Sequence, residues 1–256
     1  MNSNPNISVI IPTYNEQNCI KNTLIAIKQQ KCDIIYETIV VDGQSTDNTV
    51  SIAKNFVKKV YVSPKKGKAY QLNYAIPKTS GELLIFLDAD TIINSDFFQK
   101  IYNIFKNRKN LYACSARVNY YNGKAISFKL ASQKFIITQH ILLNLNMHIF
   151  YLLKSLLGYP ELAGCNMIVR RDIFMKTGGF KSPPNSLGID KVFSDSLIYL
   201  TRKMKKGKVR TLNFVSVLTS GRSLTLKRSY KRINQYFSMK DIYYELAKKN
   251  ELNEIT

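Results

Sequence analysis

The sequence has only four cysteines in 256 residues, Cys19, Cys32, Cys114 and Cys165, and no two are spaced as a zinc site would require. Neither a disulfide framework nor a zinc module is indicated, and a reduced, cytosolic setting is expected. No apolar leader precedes the first strand-like run. Glycine and proline are modest and no stretch is low in complexity, which argues against linkers and disordered tails. Acids are scarce: 17 stand against 38 lysines and arginines, for a formal charge of +21. That excess suits nucleic acid, an anionic membrane surface or phosphorylated small molecules, and part of it is explicable as lysine-rich composition alone.

Long hydrophobic runs are also missing. Phe135 to Tyr159 is apolar, yet Gln139, His140, Asn144, Asn146, His148 and Lys154 interrupt it, so its longest clean apolar runs fall well short of the roughly 18–20 residues of a span. Leu142, Leu145, Ile149, Leu152, Leu153 and Leu156 recur at three- and four-residue spacing. An amphipathic helix facing the core is expected, with a helix lying on a membrane surface as the alternative.

What is present is a chain 45% hydrophobic, long enough for one α/β domain with a sizeable core. Short β-rich runs at Ile7 to Pro12, Glu37 to Asp42, Lys59 to Val62 and Glu82 to Asp88 alternate with helical stretches at about 16–30, after the capping residues Ser45, Thr46 and Asp47, and at 69–76. Apolar runs of this length alternating with helices predict buried parallel strands in a doubly wound, Rossmann-like sheet. Ligands of such sheets bind beyond the carboxyl ends of the strands, where Pro12 to Glu16, Asp42 to Ser45 and Asp88 to Asp90 all fall. Neither a dinucleotide fingerprint nor a Walker sequence is there. Asp88 and Asp90, separated only by Ala89, supply hard oxygen donors suited to Mg²⁺ or Mn²⁺, and such an ion is commonly completed by substrate phosphates.

Four segments together, "SVIIPTYNE" (Ser8 to Glu16), "VVDGQSTDNT" (Val40 to Thr49), "GKAYQLNYA" (Gly67 to Ala75) and "LIFLDADT" (Leu84 to Thr91), resemble glycosyltransferase family 2. The resemblance covers roughly residues 7–220. It implies a GT-A type fold with a mixed, mainly parallel sheet, a nucleotide-sugar donor, a divalent cation, Mg²⁺ or Mn²⁺, and inversion at the anomeric carbon. It further implies that Pro12, Thr13, Tyr14 and Glu16 line the nucleotide pocket, that Asp42 recognises the base, and that Lys68 approaches the diphosphate. Asp88, Ala89 and Asp90 would bound the donor site, with Asp90 the principal metal ligand and Asp88 near ribose and metal.

"AGCNMIVRRDIFMKTGGF" (Ala163 to Phe180) is similar to the family's acceptor-side segment, with the paired glycines Gly178 and Gly179. Relatives usually follow it with a Glu-Asp pair whose aspartate is the general base. In "VFSDSLIYLTRKMKKGKVR" Ser194 replaces the first acid and Asp195 remains, so Asp195 is the expected base and Asp190 the runner-up. Arg222, in "TSGRS", is a candidate phosphate contact. The chain has no tryptophan, and so lacks the Q-x-x-R-W motif of processive synthases. Transfer of a single sugar to a lipid-linked or other phosphate-bearing acceptor, at the cytoplasmic membrane face, is the expected activity.

One domain over 1–220 is expected, with a nucleotide-sugar half (1–110), an acceptor half (111–220) and a helical extension at 221–256. Nucleotidyltransfer would want a glycine-rich, arginine-bearing loop where "IPTYNEQN" stands. Nucleic-acid binding would explain the charge but not acids at strand ends, and no nucleic-acid partner is expected.

Overall fold

A computed structural model describes residues 4–121, 125–130, 133–182 and 188–221, with side chains left aside over 125–143. The expected C-terminal helical extension and Arg222 lie outside the described residues. Four apolar segments form parallel strands as their sequences require: β1 (Ile7–Thr13), β2 (Tyr36–Asp42), β3 (Lys59–Val62) and β4 (Leu83–Leu87). β1 and β4 are buried at every residue, because helices cover both faces of the sheet there. The intervening helices are α1 (Ile20–Lys28), α2 (Thr49–Lys54) and α3 (Lys68–Ala75), the last continued by a 3₁₀ turn at Ile76–Lys78. α1 is shorter than expected because 14–19 are spent on a loop tied to the next strand's end.

The rest of the chain adds β5 (Thr91–Ile93), α4 (Phe97–Asn107), β6 (Leu111–Tyr121), a hairpin of β7 (Ala125–Leu130) and β8 (Gln133–Thr138), α5 (Gln139–Leu156), β9 (Asn166–Arg170), α6 (Arg171–Lys176), α7 (Ile189–Lys203) and β10 (Lys208–Ser220). The main sheet runs β3-β2-β1-β4-β9-β6-β10-β5. β9 is antiparallel to both its neighbours, β4 and β6. The sheet is therefore mixed and mainly parallel, as expected. Because β9 runs backwards, its entry, 163–165, arrives at the same edge as the exits of β1, β2 and β4.

Two apolar layers hold the sheet. One gathers Leu24, Ile27, Phe97, Phe98, Ile101 and Phe105 from α1 and α4. The other packs α3, α6 and α7 through Phe86, Phe174, Phe180 and Phe193, whose ring centroids lie 4.5–5.6 Å apart along the cluster.

α5 departs from expectation in two ways. The helix begins at Gln139, since 133–138 are a strand. Its apolar stripe also does not face the core: Leu145, Ile149, Leu152, Leu153 and Leu156 are all exposed, the last at 74%. The side chain of Leu142 is among those left aside. The cause is the edge of β6 beyond the reach of β9, whose pairing with β6 stops at Ser115. The open backbone groups there need partners. Asn144 Oδ1 accepts from the Tyr120 amide (2.7 Å), and His148 Nε2 lies 3.1 Å from the Val118 carbonyl oxygen. Polar residues thus turn inward and the leucines outward.

The glycine pair after α6 has a mechanical role. Gly178 and Gly179 have φ of 71° and 81°, and a Cβ on Gly179 would come within 2.8 Å of Asn73 Oδ1. Asn73 needs that approach to clamp Phe180, donating to its carbonyl (2.7 Å) and accepting from its amide (2.9 Å). Gly179→Ala is expected to lower the unfolding free energy by ~1–3 kcal/mol through left-handed backbone strain and the displaced clamp, read as a lower urea midpoint with unchanged slope.

Candidate active site

The exits of β1 and β2 are in register, Thr13 opposite Asp42, and their side chains meet: Thr13 Oγ1 donates to Asp42 Oδ1 at 3.0 Å. Asp42 is buried and also accepts from the Ser45 hydroxyl and from the Ser45 amide, the latter at 2.7 Å. Gln71, from α3, closes the same gap by donating to the Thr13 and Val41 carbonyls (2.7 and 2.8 Å). The two following loops are laced together. The Asn15 amide donates to Ser45 Oγ, the Thr46 amide to Asn15 Oδ1, the Glu16 amide to Thr49 Oγ1 and the Gln17 amide to Asp47 Oδ2. Ser45 therefore serves the loop rather than capping a helix, while Asp47 accepts from the Thr49 amide at the start of α2 (2.9 Å).

Pro12 is buried under this loop, whereas Tyr14 stands half-exposed with the Lys66 ammonium 5.3 Å above its ring. An aromatic face and a cation at the rim suit a flat base and a nearby phosphate.

Asp88 and Asp90 follow β4 directly. The Asp88 amide donates to the Cys165 carbonyl (3.1 Å), which joins the exit of β4 to the entry of β9. The Ala89 carbonyl accepts from buried Thr23 Oγ1 on α1 (2.8 Å). Asp90 Oδ1 accepts from Thr219 Oγ1 (3.1 Å), which itself accepts from Thr91 Oγ1 (3.0 Å). The two carboxylates are thus fixed from opposite sides. Asp88 faces Lys68, which opens α3 and makes an ion pair with it while also donating to the Gly164 carbonyl (3.1 Å). Burial would lower the Lys68 pKa, but the carboxylate of Asp88, then that of Asp190, outweighs it and holds the ammonium above its ordinary value.

Gly164 stands where the entry of β9 meets α7. A Cβ there would lie 2.8 Å from Asp190 Oδ2, so glycine is what lets that carboxylate approach the lysine-bearing edge. Asp190 sits in the first turn of α7. Asp195, one turn on, makes an ion pair with buried Lys191. Burial raises the Asp195 pKa against the pull of Lys191 and Lys154. Ser194, standing where an acid was expected, donates to the Asp190 carbonyl (2.7 Å) and accepts from the Leu162 amide (2.9 Å). Behind it Lys154 of α5 and Glu161 form a buried pair at 2.7 Å. Burial pushes Glu161 up to about 7 even with Lys154 beside it, and Asp190 adds to the rise.

The structure so brings Pro12, Thr13, Tyr14, Glu16, Asp42, Lys68, Asp88, Ala89, Asp90 and Asp190 to one sheet edge, and sets Asp195 against Lys191. Sequence reasoning missed Gly164, Thr219 and the Lys154–Glu161 pair. Gly164 lay inside a quoted segment with no cue to its role, and Thr219 reaches the site only through the pairing of β10 with β5. No group of three or more His, Cys, Asp or Glu gathers among the described residues, so the donor set on offer is the two carboxylates. That set fits an octahedral ion completed by diphosphate oxygens and water.

An eight-stranded mixed sheet with paired acids after its fourth strand defines the GT-A class of sugar-transferring folds, and solved structures of that class superpose on it. A mannosyltransferase from Pyrobaculum calidifontis, solved with GDP-Man and Mn²⁺, aligns at TM-score 0.59 with 22% identity, over 85% of this chain and 57% of that one. The Staphylococcus aureus enzyme TarS (residues 1–349, with UDP-GlcNAc) aligns at 0.59 and 20%, over 84% and 58%. These likenesses are of fold. The profile of glycosyl transferase family 2 matches residues 8–178, and the chain belongs to that family.

Among curated relatives, the uncharacterized glycosyltransferase YfnE of Bacillus subtilis is 35% identical over 112 residues, 42% of this chain and 29% of that protein. A poly(ribitol-phosphate) beta-glucosyltransferase of Bacillus spizizenii is 33% identical over 114 residues, 41% and 18%. The matches thus span less than a third of either relative's length.

The Glu161 carboxyl gives a pH signature. A carboxyl whose folded pKa exceeds its unfolded value, here 4.5, stabilises the fold below that value and loses the contribution as pH rises through about 7. Urea unfolding from pH 4.5 to 8 is expected to show the native protein losing stability relative to Glu161→Gln. A flat difference across that range refutes the assignment.

Proposed function

We propose that the protein transfers one sugar from a nucleoside-diphosphate sugar to an acceptor hydroxyl, in a single inverting displacement that depends on Mg²⁺ or Mn²⁺. The carrying observation is the line of charge Asp88–Lys68–Asp190, which joins the paired acids after β4 to the start of α7. Tyr14 offers a face for the base, Asp42 holds the loop that shapes its pocket, and Asp90 with Asp88 holds the ion. When bound, that ion supplies neutralisation of the diphosphate. Lys68 adds a fixed positive charge on the same side, where leaving-group charge develops.

Asp190 is the base in this reading. It lies at the edge that Lys68 defines, and a base must stand within reach of the attacking hydroxyl before its pKa matters. Asp195 has its carboxylate committed to Lys191, and positions α7 instead. The two similar structures, solved with GDP-Man and with UDP-GlcNAc, support a nucleotide-sugar donor. The poly(ribitol-phosphate) relative and the charge of +21 favour a phosphate-bearing acceptor, glycan or lipid-linked.

Asp190→Asn is expected to cut transfer by about 10²–10⁴-fold with nucleotide binding retained, whereas Asp195→Asn should chiefly lower the melting temperature. A fully active Asp190→Asn returns the role to Asp195. Asp90→Ala should abolish the Mn²⁺-dependent part of the thermal shift produced by UDP or GDP sugars; an unchanged shift removes Asp90 from the metal site.

A further inference from the structure

We propose that the outward face of α5, together with the basic rim beyond α7, seats the protein on an anionic lipid bilayer. Leu145, Ile149, Leu152, Leu153 and Leu156 line one side of the helix, and Leu157 extends the ridge; each is 44–74% exposed. A continuous ridge of large apolar side chains is uncommon on a water-facing surface and marks a docking face. Its polar side is already spent on β6 and on Glu161, so the helix cannot roll to hide its leucines.

Charge identifies the occupant. From 139 to 160 the chain carries no acid. Just past the ridge, Tyr159 lies under the Arg202 guanidinium (4.7 Å), near the C-terminal end of α7. The chain then runs through exposed Lys205 and Lys206 to Lys208 and Arg210, which with Arg108 line a cavity of about 240 Å³. None of these last five cations has an ion-pair partner among the described residues. Leucines beside a run of unpaired cations match acyl chains beneath phosphate headgroups. A second copy of the chain is the poorer occupant, because a two-fold contact over the ridge would bring two cationic rims together. Among the described residues no helix is long and apolar enough to cross a membrane, so α5 would lie in the interface plane.

The test is flotation of the whole chain with phosphatidylcholine vesicles, with and without phosphatidylglycerol, at low and raised salt. Binding is expected with phosphatidylglycerol and should weaken as salt rises. The pair Leu152→Glu and Leu156→Glu should weaken it at least about tenfold. Lys205→Ser and Lys206→Ser should each cost about fivefold on anionic vesicles. Both sites are exposed, so melting temperature and the nucleotide-induced thermal shift should stay native in every variant, which separates this proposal from the donor-site reading. Absence of vesicle binding, or native binding by the double glutamate variant, overturns it. So does a native dimer in sedimentation that the glutamates split without any vesicle binding.

Discussion

The site depends on one ammonium group. Lys68 sits between the Asp88 carboxylate and the Gly164 carbonyl, with the Asp190 carboxylate near enough to raise its pKa. Without it, two carboxylates would face each other across a partly desolvated gap with no counter-charge, a costly arrangement. With it, two elements distant in sequence, the exit of β4 and the entry of β9, share one partner at the start of α3. The reversed direction of β9 makes this possible, since a parallel strand there would enter the sheet from the opposite edge.

Around that group the fold builds rigidity in two shells of polar contacts. Beyond β1 and β2, Asp42, Ser45, Asn15 and Asp47 lace two loops whose apolar strands alone would leave them free. Around α7, the pairs Lys154–Glu161 and Lys191–Asp195 pack under its first turns. This accounts for Ser194 at the position where the family resemblance implied an acid. A carboxylate at that buried position would add a fourth acid to Asp190, Asp195 and Glu161, where Lys154, Lys191 and Lys68 are already paired with Glu161, Asp195 and Asp88. The hydroxyl instead donates to the Asp190 carbonyl and accepts from Leu162, which fixes α7 to the segment that presents Gly164.

The strands β1, β2 and β4 and the three loops at their ends were legible in the sequence, because a strand covered on both faces must be written as an uninterrupted apolar run. The acids after them were legible for the same reason: a charge ending such a run has to stand at the sheet's edge. Less was written around the start of α7. The family resemblance put Asp195 first and Asp190 second, but a five-residue difference on a helix decides which carboxylate faces a neighbour. Gly164, through the space left by a missing Cβ, admits the Asp190 carboxylate to the edge that carries Lys68. Thr219 had no local signal at all, since its approach to Asp90 follows from strand pairing across more than a hundred residues.

α5 shows why periodicity alone misdirects. The leucine spacing described an amphipathic helix correctly, and a core-facing orientation follows when apolar burial is the only drive considered. Here the sheet offers the helix an open strand edge, and unpaired backbone groups cost more than exposed leucines gain by burial elsewhere. Asn144 and His148, which interrupted the apolar run in the sequence, are the residues that meet this demand. The same inward face carries Lys154, whose partner Glu161 stands three residues before Gly164. The helix that exposes the leucine ridge is therefore also the one that steadies the segment holding Lys68 and admitting Asp190. Its orientation is set from the active-site side, and the apolar surface outside is what that constraint leaves over.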